Sequence, residues 1–456
     1  AEGLCAFVSV QYLQYIGQDA QAAARTRYYE STASVSGVGY RKLVRELLQN
    51  LQYRNNPFRY LSALSGVEHL QDGMKTPPTI GEECLGKAYT PSSPDRAAEG
   101  ELRYFYYDRL SPPQQKVYFA MVKAILAHEE KADAGGIGSE DIFKAAHAIR
   151  YDRPELFWFS TCTVRGNEIL LHYGASAEEA QALQKQIDEA VKPYLEGITD
   201  AMSAYDVAIR LYSRLIAAID YDTVALEKQE AEGGPKKDSI DYLRTICGAF
   251  LRKSAVCEGY ARAIQYLLQK CGVECAEAVG DIYKDDGSDG EAHAWNILKV
   301  DGDYYYMDVT WDDRSNTNQP IKIRDFEFSY FCITTKEMQR TRKIESDPVE
   351  MPDCTATRAN YYTHNGLVLE RYDPDRIKQI AAEAAAAKST FFTFKCRDKA
   401  LYAQALKSLC VEGADCYEAI KAAAKKDKRI RTNKCRYNPN TKLWTITIWF
   451  AYDPEK

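Results

Sequence analysis

Residues 253–313 read KSAVCEGYARAIQYLLQKCGVECAEAVGDIYKDDGSDGEAHAWNILKVDGDYYYMDVTWDD, and the period of their apolar positions changes along the way. From Cys257, apolar or small side chains recur at Ala261, Ile264, Leu267, Leu268 and Cys271, which is the spacing of a buried helix, and Gly272 supplies its stop. AHAWNILKV, residues 292–300, alternates as a strand, and DYYYMDVTWD, residues 303–312, alternates as the next. Asp301-Gly302 between them is a two-residue hairpin turn. If that turn pairs Val300 with Asp303, Trp295 faces Asp308, His293 faces Thr310, and His293 and Asp308 lie on one face as diagonal neighbours, roughly 7 Å apart at the backbone. A loop one residue longer or shorter would put them on opposite faces.

These three residues are of the types that amide chemistry at a thiol requires. Cys257 sits at the amino end of its helix, where unpaired amide groups and the positive end of the helix dipole favour the thiolate. A thiol is mostly protonated at neutral pH, so an imidazole must take its proton and later return one to the leaving group. A carboxylate on the far nitrogen fixes the tautomer of the ring and stabilises its charged form. Taken singly, each residue has an ordinary structural reading: a small buried thiol, a satisfied strand histidine, a turn aspartate. Their arrangement in one folding unit is what carries the chemistry. His69, His128, His147, His172 and His364 have no such company in the sequence.

VCEGYARAIQYLL, HAWNILKVDGDYYYMDVTWDD and the following FEFSYFCITTKEM resemble the core of the bacterial transglutaminase-like superfamily, in which Cys, His and Asp follow one another on successive elements. The resemblance runs from about Ser203 to Met338. It implies an α+β, papain-like core in which a cysteine helix packs on an antiparallel sheet, with Cys257 as nucleophile, His293 as base and Asp308 as the group that orients the ring. It also implies Tyr260, Trp295 and Trp311 as substrate-binding aromatics of the cleft, a protein or peptide substrate, and no cofactor or metal.

The rest of the chain surrounds this core. LCAFVSVQYLQYI and YRKLVRELLQNLQY have helical spacing, and MKTPPTIGEECLGKAYTPSSPDR is a loop or linker. A helix is expected after RLSPPQQ, a second around DIFKAAHAIRYD, and a strand pair in ELFWFSTCTVRGNEILLHY turned at Gly166-Asn167. Two amphipathic helices fill Ala177 to Ile219, the second capped by Ser203, followed by EKQEAEGGPKKDS as an exposed loop and a helix from Ser239. The last hundred residues carry an Ala-rich helix, two further helices and the terminal strand KLWTITIWFAY. The expected organisation is a helical N-terminal region over 1–95, an accessory α/β region over 96–195, the core over 196–345 and a small C-terminal α+β domain over 346–456.

Bulk properties narrow the function. At 456 residues, 45% hydrophobic and 27% charged, this is the composition of a globular chain of about two to four domains. No apolar run reaches the roughly 20 residues of a membrane span. A net charge of −6 with mixed signs gives no basic face for nucleic acid. Thirteen cysteines, none in a C-x-x-C pair, give no zinc pattern, and an Ala at position 1 fits export to the cell envelope or beyond. Cysteine-dependent acyl transfer on peptide or glutamine-type amides is the leading expectation, with hydrolysis ahead of cross-linking by analogy with the family. The alternative is a catalytically silent scaffold for adhesion or for protein or glycan binding, for which 33 tyrosines would suit.

Overall fold

The computed structural model describes residues 85–92, 95–97, 102–236, 238–284, 286–314 and 326–452. The two helical stretches expected in the first fifty or so residues lie outside the described residues. Two compact units are present among those described, residues 85–314 with 326–366, and residues 367–452. Among the described residues no helix is long and apolar enough to cross a membrane.

The larger unit begins with α1 (Pro112–Leu126), β1 (Lys131–Asp133), α2 (Ser139–Asp152), β2 (Phe159–Arg165), β3 (Glu168–Tyr173) and α3 (Ala177–Leu195). β1, β3 and β2 form a small antiparallel sheet, and Arg165 pairs with Glu168 across the expected Gly166-Asn167 turn. Next come α4 (Ala204–Ala218), whose Ser203 cap accepts from the Asp206 amide, then β4 (Asp220–Tyr221) and α5 (Thr223–Ala231). α5 corrects the loop expected over EKQEAEGGPKKDS. Ala, Glu, Lys and Gln favour helix, and Asp222 caps it through the Ala225 amide, so the loop begins only at the left-handed Gly233 and Gly234. The helix expected from Ser239 is also displaced. The Asp241 carboxylate accepts from the Leu243 amide and holds a turn, leaving one π-helical turn at Gly248–Arg252.

β5 (Ser254–Ala255) leads into α6 (Cys257–Lys270), which packs on the sheet made by β6 (Cys275–Tyr283), β7 (Asp289–Val300), β8 (Asp303–Met307) and β9 (Arg342–Ile344). The strand order is β8-β7-β6-β9, antiparallel throughout. Burial of Ala261, Ile264, Leu267 and Leu268 accounts for the helical period, and Gly272 takes φ +76° just past its end. Gly259 is required by close approach, since a side chain there would meet the Leu243 carbonyl oxygen at 2.6 Å.

The hairpin register is the expected one: Val300 pairs with Asp303 and Asn296 with Met307, and Asp301 and Gly302 both have positive φ. The second strand is shorter than its alternation suggested. Asp308 leaves the ladder to cap the short helix α7 (Val309–Asp312), accepting from the Trp311 amide, so Thr310 does not face His293. α8 (Thr335–Met338) and α9 (Tyr361–Asn365) complete the unit.

The smaller unit comprises β10 (Val368–Leu369), α10 (Pro374–Ala386), β11 (Phe391–Cys396), α11 (Lys399–Leu406), α12 (Ala414–Lys426), β12 (Ile430–Asn440) and β13 (Thr445–Tyr452). Its sheet runs β10-β11-β13-β12. Ile377, Phe394, Ala405, Ile446 and Ile448 make an apolar core between sheet and helices. The elements expected in the last hundred residues are all present, and the described residues as a whole are α+β.

Candidate active site

Cys257 is the first residue of α6 and is half-buried. The preceding Val256 provides no side-chain cap, so the amides of the first turn are not taken up by a capping oxygen. Elsewhere in the chain, burial pushes the thiols of Cys247, Cys354 and Cys396 up to about 12.

His293 lies on β7 opposite Gly280 of β6, buried, with its Nε2 2.9 Å from Asp308 Oδ2. The Cys257 thiol also lies close enough to the imidazole to interact with it electrostatically. Nε2 being committed to Asp308, Nδ1 is the nitrogen left for sulfur. Burial alone favours the neutral ring. The Asp308 carboxylate and Cys257 outweigh it, raising His293 from 6.5 to about 9. The sheet therefore brings together the three residues that the sequence singles out for chemistry.

Asp308 is completely buried and its carboxylate is fully engaged. Oδ1 accepts from the Trp311 amide at 3.1 Å, and Oδ2 accepts from His293 and from Arg342 Nη1. Burial favours the neutral acid, but His293 and Arg342 hold the group down at about 2. The Tyr212 hydroxyl from α4 lies 2.9 Å from the Asp308 carbonyl oxygen and 2.6 Å from Asp312 Oδ2, fixing the chain where β8 passes into α7.

Arg342 is the residue that sequence reasoning missed. It stands on β9, 34 residues after Asp308, with no motif around it, and only the β6–β9 pairing brings it to the carboxylate. Its guanidinium is completely buried, 4.2 Å from the Trp311 ring centre, 5.0 Å from Trp295 and 5.2 Å from Tyr330.

The three aromatics expected to line a cleft divide. Trp311 is half-buried, its ring centre 5.8 Å from that of His293. Trp295 is buried and stacked beside the imidazole at 6.1 Å. Tyr260 is also buried, with its hydroxyl donating to Asp313 Oδ2 at 2.8 Å. Tyr260 and Trp295 therefore offer no surface to a substrate. Their positions on the core faces of α6 and β7 turn them inward, which corrects the expectation for both.

Residues 192–309 match the sequence profile of the transglutaminase-like superfamily. Among curated proteins, none matches the chain. Solved structures that are similar include a TGase, at 14% identity and TM-score 0.24, covering 33% of this chain and 43% of that one. A candidate cysteine protease from Cytophaga hutchinsonii is 13% identical with TM-score 0.20, covering 31% and 42%. A candidate protease from Parabacteroides distasonis is 11% identical with TM-score 0.20, covering 37% and 35%. The chain spans less than half the length of each of these structures.

Proposed function

With a transglutaminase-like core over residues 192–309 as the premise, we propose that this chain is a cysteine-dependent acyl-transfer enzyme acting on peptide or glutamine-type amides. The observation that carries the reading is the buried His293–Asp308 contact of 2.9 Å, with the same imidazole interacting electrostatically with a thiol at a helix start. In this reading the Cys257 thiolate attacks the amide carbon while His293 holds the proton. Collapse of the tetrahedral adduct breaks the C–N bond as His293 passes that proton to the departing amine, leaving a thioester on Cys257. Neutral His293 then takes a proton from the incoming water or amine, and the thiolate is regenerated. Asp308 keeps the ring in one orientation and balances its charge. The first-turn amides of α6, which have no side-chain cap, are suited to hold the developing oxyanion, that of Cys257 first.

Hydrolysis is the favoured outcome, by analogy with the family. The test is the rate of iodoacetamide labelling at each cysteine against pH, in the wild type and in His293→Ala. Cys257 should label fastest at mildly acidic pH, and the substitution should remove that advantage. Equal, slow labelling of Cys257 in both proteins would sink the enzymatic reading in favour of a silent scaffold.

A further inference from the structure

We propose that Arg342 is a positioning residue whose fixed charge keeps Asp308 a carboxylate through every stage of turnover, so that His293 can give up its proton without the aspartate taking it. The inference rests on the preceding reading of Cys257, His293 and Asp308.

The need for such a charge follows from burial. Asp308 has no exposure, and among the described residues its ionisable partners in hydrogen-bond contact are His293 from β7 and Arg342 from β9. The groups facing it from other elements are Cys257 on α6, coupled to it through His293, the Tyr212 hydroxyl of α4, and Asp312 of α7, which shares that hydroxyl. While His293 is an imidazolium, Asp308 has a countercharge. In the thioester stage His293 is neutral and must stay available to take a proton from water. A lone buried carboxylate would then bear its full desolvation cost, and the proton would be held between aspartate and imidazole. A guanidinium does not release its proton, so it supplies a countercharge that no step of the cycle removes.

The packing around Arg342 fits this role better than a purely structural one. Burying a guanidinium is costly, and a buried ion pair can often be replaced by apolar side chains with no loss of stability. Here Trp295, Trp311 and Tyr330 surround the cation, Nη1 is aimed at the oxygen that also receives His293, and among the described residues Nη2 has no partner. The group is thus not placed to gather as many hydrogen bonds as it could. It is placed to share one carboxylate oxygen with the imidazole.

The experiment is the full pH profile of iodoacetamide labelling at Cys257 in the wild type, Arg342→Met, Asp308→Asn and the double variant, with folding followed by circular dichroism. The step at high pH reports loss of the His293 proton. In Arg342→Met that step should move up by about one unit or more, a tenfold or greater drop in neutral imidazole at pH 7. In the Asp308→Asn background the same substitution should not raise it. An unmoved step in Arg342→Met, or an equal upward shift in both backgrounds, would overturn the proposal. Arg342→Gln, uncharged but still a donor, serves the same comparison if the methionine variant does not fold. Failure of the underlying reading is separable, because wild-type Cys257 would then show no His293-dependent labelling at acidic pH.

Discussion

Among the described residues, the antiparallel sheet of β6 to β9 and the antiparallel strands β11, β13 and β12 both pack against helices, and they are buried in different currencies. In the sheet of residues 391–452 the buried polar groups are neutral for the most part, such as Thr393, Asn438, Thr445 and Thr447. Thr393 and Thr447 pair hydroxyl to hydroxyl across β11 and β13 at 2.8 Å. In and beside the sheet of β6 to β9 the buried groups include Glu277, His293 and Arg342, with Asp308 just past the end of β8 and Arg262 from α6 bonded to Glu277 at 2.9 Å. Charges in a low-dielectric interior are costly unless paired, and a fold that needs only stability can do without them. The difference separates a sheet that holds a shape from one that holds a proton.

The largest effect expected from this comparison is chemical. His293→Ala should slow iodoacetamide labelling of Cys257 at pH 6 by roughly a hundredfold or more, since a thiol with an unperturbed pKa of about 8.5 is scarcely ionised there. Site-resolved mass spectrometry reads it directly, and the other cysteines should not change.

Next comes stability. Asp308→Asn leaves Arg342 buried without its countercharge and should cost about 3–5 kcal/mol in urea unfolding of the larger unit. The sign with pH follows from the two shifts. His293, raised from 6.5 to about 9, contributes fully below pH 6.5 and loses that contribution as pH rises through 9. Asp308, lowered from 3.8 to about 2, contributes above pH 3.8 and loses that contribution as pH falls through 2. The gap between wild type and Asp308→Asn should therefore be widest between those two bounds, at pH 3.8 to 6.5, and narrow at either extreme. A gap independent of pH would remove the charge argument.

In the other sheet, Phe394→Ala opens a cavity in the apolar core and should cost about 3 kcal/mol with no change in Cys257 labelling. Altered labelling would show that the two sheets do not divide the work as described. The smallest effect is expected for Thr393→Val with Thr447→Val. Removing both members of a neutral pair should change unfolding free energy by less than about 1 kcal/mol.

Much of the site is legible in the sequence because local rules fix it. The helical period after Cys257, the stop at Gly272 and the Asp301-Gly302 turn place the cysteine at a helix start and set the register that brings His293 and Asp308 together. Arg342 was not legible, because its partner is chosen by the tertiary pairing of a three-residue strand. Nor did alternation reveal that Asp308 would leave the ladder, since an aspartate reads equally well as a strand residue or as a helix cap. Tyr260 and Trp295 show a third limit: a family resemblance names aromatics near the site, but not whether a core or a cleft lies behind them.

The region before the core teaches a related point. Gln265 and Gln269 of α6 donate to the carbonyls of Tyr151 and Asp152 at the end of α2, and the Tyr106 hydroxyl donates to the Glu277 carbonyl. The elements that precede α4 are thus hydrogen-bonded into the helix and sheet that carry Cys257 and His293.

The Asp301-Gly302 turn that sets the register is itself held from far away. The Asp301 carboxylate accepts from the Tyr89 hydroxyl, the Ser92 amide and Arg358, and the Asp301 amide donates to Asp95. More than two hundred residues of chain separate the first of these partners from the turn. During synthesis the segment around Tyr89 emerges long before the hairpin it will clasp, and closing so long a loop carries an entropic cost that a local turn escapes. The hairpin can form at once from its own two-residue turn, whereas the clasp must wait. The last contacts to lock the register are therefore expected to be supplied by the first residues of this unit to leave the ribosome.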